Sequence, residues 1–235
     1  MLLLMSLHLN DSPIVKADSA VHLGHFIGVD SIRNNIGNGV SNLIRQTNVM
    51  LSKFSSCDCD VKSFLFKTYS ASFYGSVLWP LFSKHIEKFY VTWRKVIRRV
   101  WNVPYRTHNY LLPYLLDDKP IHVQLFLRFS NFCLNAIHSK NSKVRICASM
   151  LYFSNSCVAN NCRSLCHILN CNSISSMSRH KLKNCITDKQ QVHNDHACQI
   201  SYCIKELCNL RDGSLSCEFL TKNEICDFIS LLCTS

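Results

Sequence analysis

The chain has 235 residues, 47% of them hydrophobic, with only 6 glycines and 5 prolines, a composition that excludes a disordered or repetitive protein and suffices to bury a core. Its formal net charge of +11 is lopsided: residues 1–149 hold 18 Lys and Arg against 8 Asp and Glu, whereas residues 150–235 hold 8 against 7. A positive field of that kind draws nucleic acid or acidic membrane, and no stretch approaches the ~18 apolar residues of a spanning helix, so no membrane partner is expected.

The opening MLLLMSLHL lacks a Lys or Arg ahead of its apolar run, and NDSP stands where a small-residue cleavage site would follow. It is not expected to be a secretory signal, and the chain is expected in the nucleus or cytoplasm and not outside the cell. Of 15 cysteines, 11 fall between residues 157 and 233. In a reducing compartment such thiols are free, metal-bound, or small buried apolar groups.

Residues 7–30 read as extended, with the turn-forming Asn10, Asp11, Ser12 and Pro13 and with Gly24 and Gly28 interrupting VHLGHFIGV, so a β-hairpin is predicted at the start. From Ser31 the period becomes helical: Val40, Leu43, Ile44, Thr47, Leu51 and Phe54 share a face, although Gly37 and Gly39 weaken the first turns. After a break at residues 57–60, a second helix is predicted from an Asp58 or Asp60 cap through Val61, Phe64, Leu65, Tyr69 and Ser72 to a stop at Gly75, with Lys62 and Lys67 on its polar face.

The segment SKHIEKFYVTWRKVIRRVW is the clearest in the chain. Ile86, Phe89, Trp93, Val96, Ile97 and Val100 occupy an arc of roughly 100°, the width of a core-facing stripe. Opposite them run Lys84, Lys88, Lys95 and Arg99, flanked by Arg94 and Arg98, with Glu87 the single acid among them. Taken alone, this stripe is equally a solvated helical face.

Pro104, Pro113 and Pro120 mark an irregular region that leads into a helix with Leu125, Phe129, Phe132 and Ala136 in register. NSKVRICASM predicts a short helix. Residues 152–192, rich in Ser, Asn and Cys, are read as a connector. Two amphipathic helices close the chain, one on Ala197, Ile200, Ile204 and Leu207, the other behind a capping box of Thr221 and Glu224 with Ile225, Phe228, Ile229 and Leu232. The expected class is mainly α: a short hairpin in residues 1–30, a helical bundle in 31–150, and a loosely packed Cys-rich helical region in 151–235.

The order VHLGHFIG, FLFKTYSASFYGSVLWPL, WRKVIRRVWNVPYRTH, LLPYLLDDKPI with LRFSNFCLNAI, and FLTKNEICDFISLLCTS resembles jockey-like and related LINE-type non-LTR retrotransposon reverse transcriptases downstream of their catalytic aspartates. The likeness spans about residues 9–235. Ser70 departs from the Tyr-Cys that such elements often carry before the YG. The resemblance implies that the HLG segment forms the hairpin where palm meets thumb and that the following helices form a thumb and C-terminal extension. It places the basic segment against a nucleic-acid backbone, which makes Lys84, Lys88, Arg94, Lys95, Arg98, Arg99 and Arg106 the candidate contacts for RNA or DNA.

A polymerase needs a carboxylate and an aromatic-x-Asp-Asp turn to hold two Mg²⁺ ions, and neither precedes His22 in this sequence. The expectation is therefore a truncated, catalytically inactive chain without an endonuclease domain, retaining at most residual, non-specific RNA or DNA binding. Asp117 and Asp118, in the context LLDDKP, read as a turn or helix cap and not as polymerase aspartates. Cys157, Cys162, Cys166, His167 and Cys171 invite a zinc reading, but no C-x₂-C knuckle appears: Cys162 and Cys166 make one acceptable half, and a second would need Cys171 or Cys185 with His180. Cys198, Cys203 and Cys208 recur every five residues and so spread around a helix. No metal and no cofactor is expected. The alternatives left open are a helical protein-interaction module, pairing with itself or a partner through exposed apolar surface, and a retroelement remnant without a selected function.

Overall fold

The computed structural model describes residues 8–9, 12–13, 18–22, 24–28, 31–107, 109 and 111–193. The two closing helices expected after residue 193 lie outside the described residues, as do Cys198, Cys203 and Cys208. What is described is mainly helical behind short antiparallel strands. Strand β1 (His8–Leu9) pairs with β2 (Ser12–Pro13), and β3 (Ser19–His22) pairs with β4 (His25–Gly28) in a register that sets Ser19 against Gly28 and His22 against His25. Helix α1 (Ser31–Lys53) extends this hairpin through one side chain: the Phe26 amide donates to Asn35 Oδ1 at 2.9 Å, and Asn35 Nδ2 donates to the Phe26 carbonyl at 2.9 Å.

Helix α1 buries Ile36, Val40, Leu43, Thr47 and Met50. The expected face is thus turned: Val40, Leu43 and Thr47 are inside, whereas Ile44 and Phe54 are exposed. Thr47 tolerates full burial because its hydroxyl donates to the Leu43 carbonyl at 2.7 Å.

Helix α2 (Cys59–Leu65) continues as a π-helical turn, Phe66–Ser70, and stops there. The expected run to Gly75 is corrected, and so is its face. The wider π turn swings Phe66 fully into the core and leaves Val61, Phe64 and Tyr69 46%, 64% and 65% exposed. The carbonyls of Ala71 and Ser72 accept from the Arg128 guanidinium, which sits 5.0 Å from the Phe73 ring centroid, so they serve a distant helix and not a further turn of this one. Gly75 instead makes a left-handed turn (φ 73°) that starts a 3₁₀ turn, Ser76–Leu78; a Cβ there would fall 1.6 Å from the His25 ring.

A 3₁₀ turn, Lys84–Ile86, opens into α3 (Glu87–Val100), whose Phe89, Trp93, Val96, Ile97 and Val100 are buried together with Ile86, as the spacing requires. Each such side chain contributes about 1.5–3 kcal/mol by leaving water. Helix α4 (Leu112–Leu116) is a short helix within the proline-marked region, and it ends at Asp117 in the left-handed conformation (φ 50°). The Asp118 amide donates to the Pro113 carbonyl at 3.0 Å, and Asp118 Oδ1 accepts from the Lys119 amide at 2.7 Å. Both aspartates belong to this turn. Helix α5 (Ile121–Ile137) follows Pro120 and buries Leu125 and Phe129 with Ile121, Val123, Cys133 and Leu134.

Helix α6 (Ser142–Tyr152), capped by Asn141 accepting from the Lys143 amide at 2.9 Å, buries none of its residues. The segment expected as a connector is corrected: it forms α7 (Cys157–Leu169), a 3₁₀ turn, Ile174–Ser176, and α8 (Arg179–His193). Its Ser, Asn and Cys side chains are helix caps and small core groups. Ser156 caps α7 from the Ala159 amide, Asn170 closes it in the left-handed region, and Cys162, Leu165, Cys166 and Leu169 enter a core cluster that runs from Ile36 to Ile186.

The least apolar of these inward residues is Asn161, 2% exposed. Its Nδ2 donates to the Trp79 carbonyl at 2.7 Å and its Oδ1 accepts from the Leu81 amide at 3.0 Å, which ties α7 to the chain entering α3. The Trp79 indole lies against Gly39 of α1, where a Cβ would stand 2.5 Å from two ring atoms, and its ring meets Phe89 edge-on at 4.9 Å. A Cβ at Gly37 meets nothing within 4 Å. Gly39→Ala is therefore expected to destabilise by about 1–3 kcal/mol through overpacking against the indole, whereas Gly37→Ala gains about 0.5–1 kcal/mol from helix propensity. Urea unfolding midpoints of the two variants check the opposite signs.

Candidate nucleic-acid interface

The sequence fixes the geometry of the basic stripe before any packing is considered. At about 100° per residue, Lys84, Lys88, Lys95 and Arg99 fall within an arc of about 60°, and the burial of Phe89, Trp93 and Ile97 turns that arc outward. All four are exposed. Among the described residues, the ammonium groups of Lys84, Lys88 and Lys95 make no hydrogen bond or ion pair, so they remain available to an external anion.

The arginines are more engaged. Arg94 Nη2 bonds Glu87 Oε1 at 2.8 Å, an ion pair one helical stretch apart on the surface. Arg99 Nη1 donates to Asn48 Oδ1 at 2.9 Å, linking α3 to α1. Arg98 Nη2 donates to the Thr107 carbonyl at 2.7 Å and to Asn109 Oδ1 at 2.8 Å. Burial, reinforced by the neighbouring Arg94, lowers the Arg98 guanidinium from its ordinary value. Its work here is internal: it holds the turn that follows α3.

That turn places a residue which spacing arguments passed over. Tyr105 is 76% exposed, and the Arg98 guanidinium carbon stands 5.8 Å from its ring centroid. Arg106 beside it is exposed. The Thr107 amide closes the turn on the Pro104 carbonyl at 3.0 Å. The signal was the run Pro-Tyr-Arg directly after a basic helix, a rigid turn that lifts an aromatic ring out of the core. Trp93 and Trp101, the aromatic residues of the basic segment itself, are 2% and 3% exposed and pack inside. Lysines and an exposed ring on one surface can neutralise phosphates and stack a base without reading sequence.

The cysteine cluster resolves differently from its spacing. Cys133, Cys162 and Cys166 are buried, His167 is exposed on the outer side of α7, and among the described residues no group of three or more His, Cys, Asp or Glu side chains is arranged to share a metal ion. Among the described residues no helix is long and apolar enough to cross a membrane. Comparison with protein-family models, with curated proteins and with solved structures finds no match to this chain.

Because Arg98 holds the Thr107 carbonyl and Asn109 through two hydrogen bonds, Arg98→Met is expected to cost about 1–2 kcal/mol and to speed exchange of the Thr107 amide, which closes on Pro104. Glu87→Ala, which removes only a surface ion pair, is expected to stay within about 0.5 kcal/mol of the parent. Urea titration combined with hydrogen exchange checks both.

Proposed function

We propose that this chain is a non-catalytic, reverse-transcriptase-derived helical protein that binds the backbone of RNA or DNA without sequence preference, in the manner of a polymerase thumb. The observation that carries the reading is the exposed lysine row Lys84, Lys88 and Lys95, unpaired among the described residues, on a helix whose opposite face is locked into the core. Tyr105 and Arg106, both exposed, follow directly after the helix end, with Tyr105 against the flanking Arg98. Charge excess in residues 1–149 and the order of the motifs support the same reading. Arg94, Arg98 and Arg99 contribute field and shape the surface, since each already has a protein partner.

A helical protein-interaction module is the second reading, favoured by α6. That helix buries no residue, and Ile146, Met150 and Phe153 at its surface are 57%, 67% and 85% exposed. Apolar exposure of that kind marks a contact surface more often than a solvated one. Salt separates the two readings, because phosphate contacts release counterions and apolar contacts do not.

Fluorescence-anisotropy titrations with single-stranded RNA and an RNA/DNA hybrid, at two salt concentrations, test the proposal. Binding is expected to weaken steeply with salt, and Lys84→Ala, Lys88→Ala and Lys95→Ala together are expected to lose about three counterion contacts' worth of salt slope. Weak binding that the triple change leaves alone, with oligomers that persist at high salt, would favour the interaction module.

A further inference from the structure

Two thiols meet in the core at a place the nucleic-acid reading does not use. Cys133 of α5 and Cys162 of α7 lie 29 residues apart in sequence, and their Sγ atoms are 3.6 Å apart. Cys133 is 6% exposed and Cys162 8%. Neither is sealed off, because both line an apolar cavity of about 460 Å³ between α5, α6 and α7, together with Phe132, Ile137, Leu151 and the exposed Cys147. The cavity therefore lets a small uncharged molecule reach both residues.

From van der Waals contact at 3.6 Å to a disulfide of about 2 Å the sulfurs need to close by roughly 1.6 Å. That distance lies within side-chain rotation and a slight approach of two helices. We propose that Cys133 and Cys162 form a peroxide-responsive dithiol site that closes to a disulfide and staples α5 to α7. The Cys162 thiolate attacks one oxygen of hydrogen peroxide, the O–O bond breaks, and a sulfenic acid forms as hydroxide leaves. Cys133 sulfur then attacks Cys162 sulfur; the S–S bond forms, the S–O bond breaks, and the hydroxyl leaves as water with the proton of Cys133. Two thiols and one peroxide give one disulfide and two waters.

The surroundings assign the order of attack. The hydrogen bond shared by the two sulfurs lowers the Cys162 thiol against the opposing effect of burial, and the Arg163 charge adds to it, which makes Cys162 the first attacker in this proposal. The same hydrogen bond and burial raise Cys133, which keeps its proton until the second step. Cys166 is held back, its thiol pushed up to about 12 by burial and by Cys171. The loop that the bond would close contains α6, so oxidation would fix the helix with the most exposed apolar surface against the bundle.

The test uses the full chain with all its cysteines, titrated with hydrogen peroxide, quenched with N-ethylmaleimide, and mapped by tandem mass spectrometry after non-reducing digestion. The first link to form is expected to join Cys133 to Cys162 with loss of two hydrogens. In Cys133→Ser, Cys162 is expected to accumulate as a sulfenic acid trapped by dimedone, whereas Cys162→Ser leaves Cys133 unlabelled. Circular dichroism shows whether each variant has folded; the mapping of the parent chain stands without them. A first link between Cys166 and Cys171 or involving Cys147, or free alkylation of both Cys133 and Cys162 on unfolding after peroxide, would overturn the proposal.

Discussion

The structure depends on how Trp79 is seated. Its indole lies on a helical glycine of α1, its edge meets Phe89 at the head of α3, and its carbonyl is held by the side-chain amide of Asn161 from α7. Three helices far apart in the chain are thereby fixed by one residue on an irregular segment. Each contact is of a different kind: close approach that only glycine allows, an aromatic edge-to-face pair, and a buried backbone group that would cost about 1–3 kcal/mol if left unpaired. The backbone entering α3 has no regular ladder to satisfy it, and Asn161 supplies one donor and one acceptor in its place.

The consequence for α3 is that its orientation is determined from both sides. Phe89 is pinned by Trp79 and by Phe73, whose ring lies edge-on at 5.4 Å, while Arg99 and Arg98 fasten its other end to Asn48 of α1 and to the 104–109 turn. A helix so held presents the backbone positions of its outer lysines in a fixed row, while their side chains stay free to adjust. Pre-positioned backbone costs less ordering on binding. Arg98 and Arg99, which spacing groups with the lysines, are diverted to this support, and this divides the basic segment into a scaffold and a surface.

Regular, strongly periodic segments were legible in the sequence: the α3 stripe is buried residue for residue, α5 starts directly after Pro120, and α6 covers the segment NSKVRICASM from Ser142 on. Elements whose faces depend on distant partners were not. Helix α1 is rotated toward Ile36 and Met50 because its glycine faces Trp79, and α2 turns its apolar Val61, Phe64 and Tyr69 outward because a π turn and the Arg128 bonds to Ala71 and Ser72 intervene. Residues 152–192 read as a connector because Cys, Asn and Ser carry little periodic signal, yet Cys162, Cys166 and Asn161 are small enough to pack and, in the last case, to bond. In the candidate site, the lysines were legible from spacing; Tyr105 was not, since its exposure depends on a turn held by Arg98.

In the proposed reading, nucleic acid lies across the outer face of α3 and the turn beyond it. The most direct measurement is photocrosslinking of the chain to a single-stranded RNA carrying 4-thiouridine, followed by mass-spectrometric mapping of the adducts. Adducts concentrated at Tyr105 and on peptides from residues 84–106 are the expected result. Adducts confined to α6 or α7, or spread evenly over the surface with none at Tyr105, would contradict it.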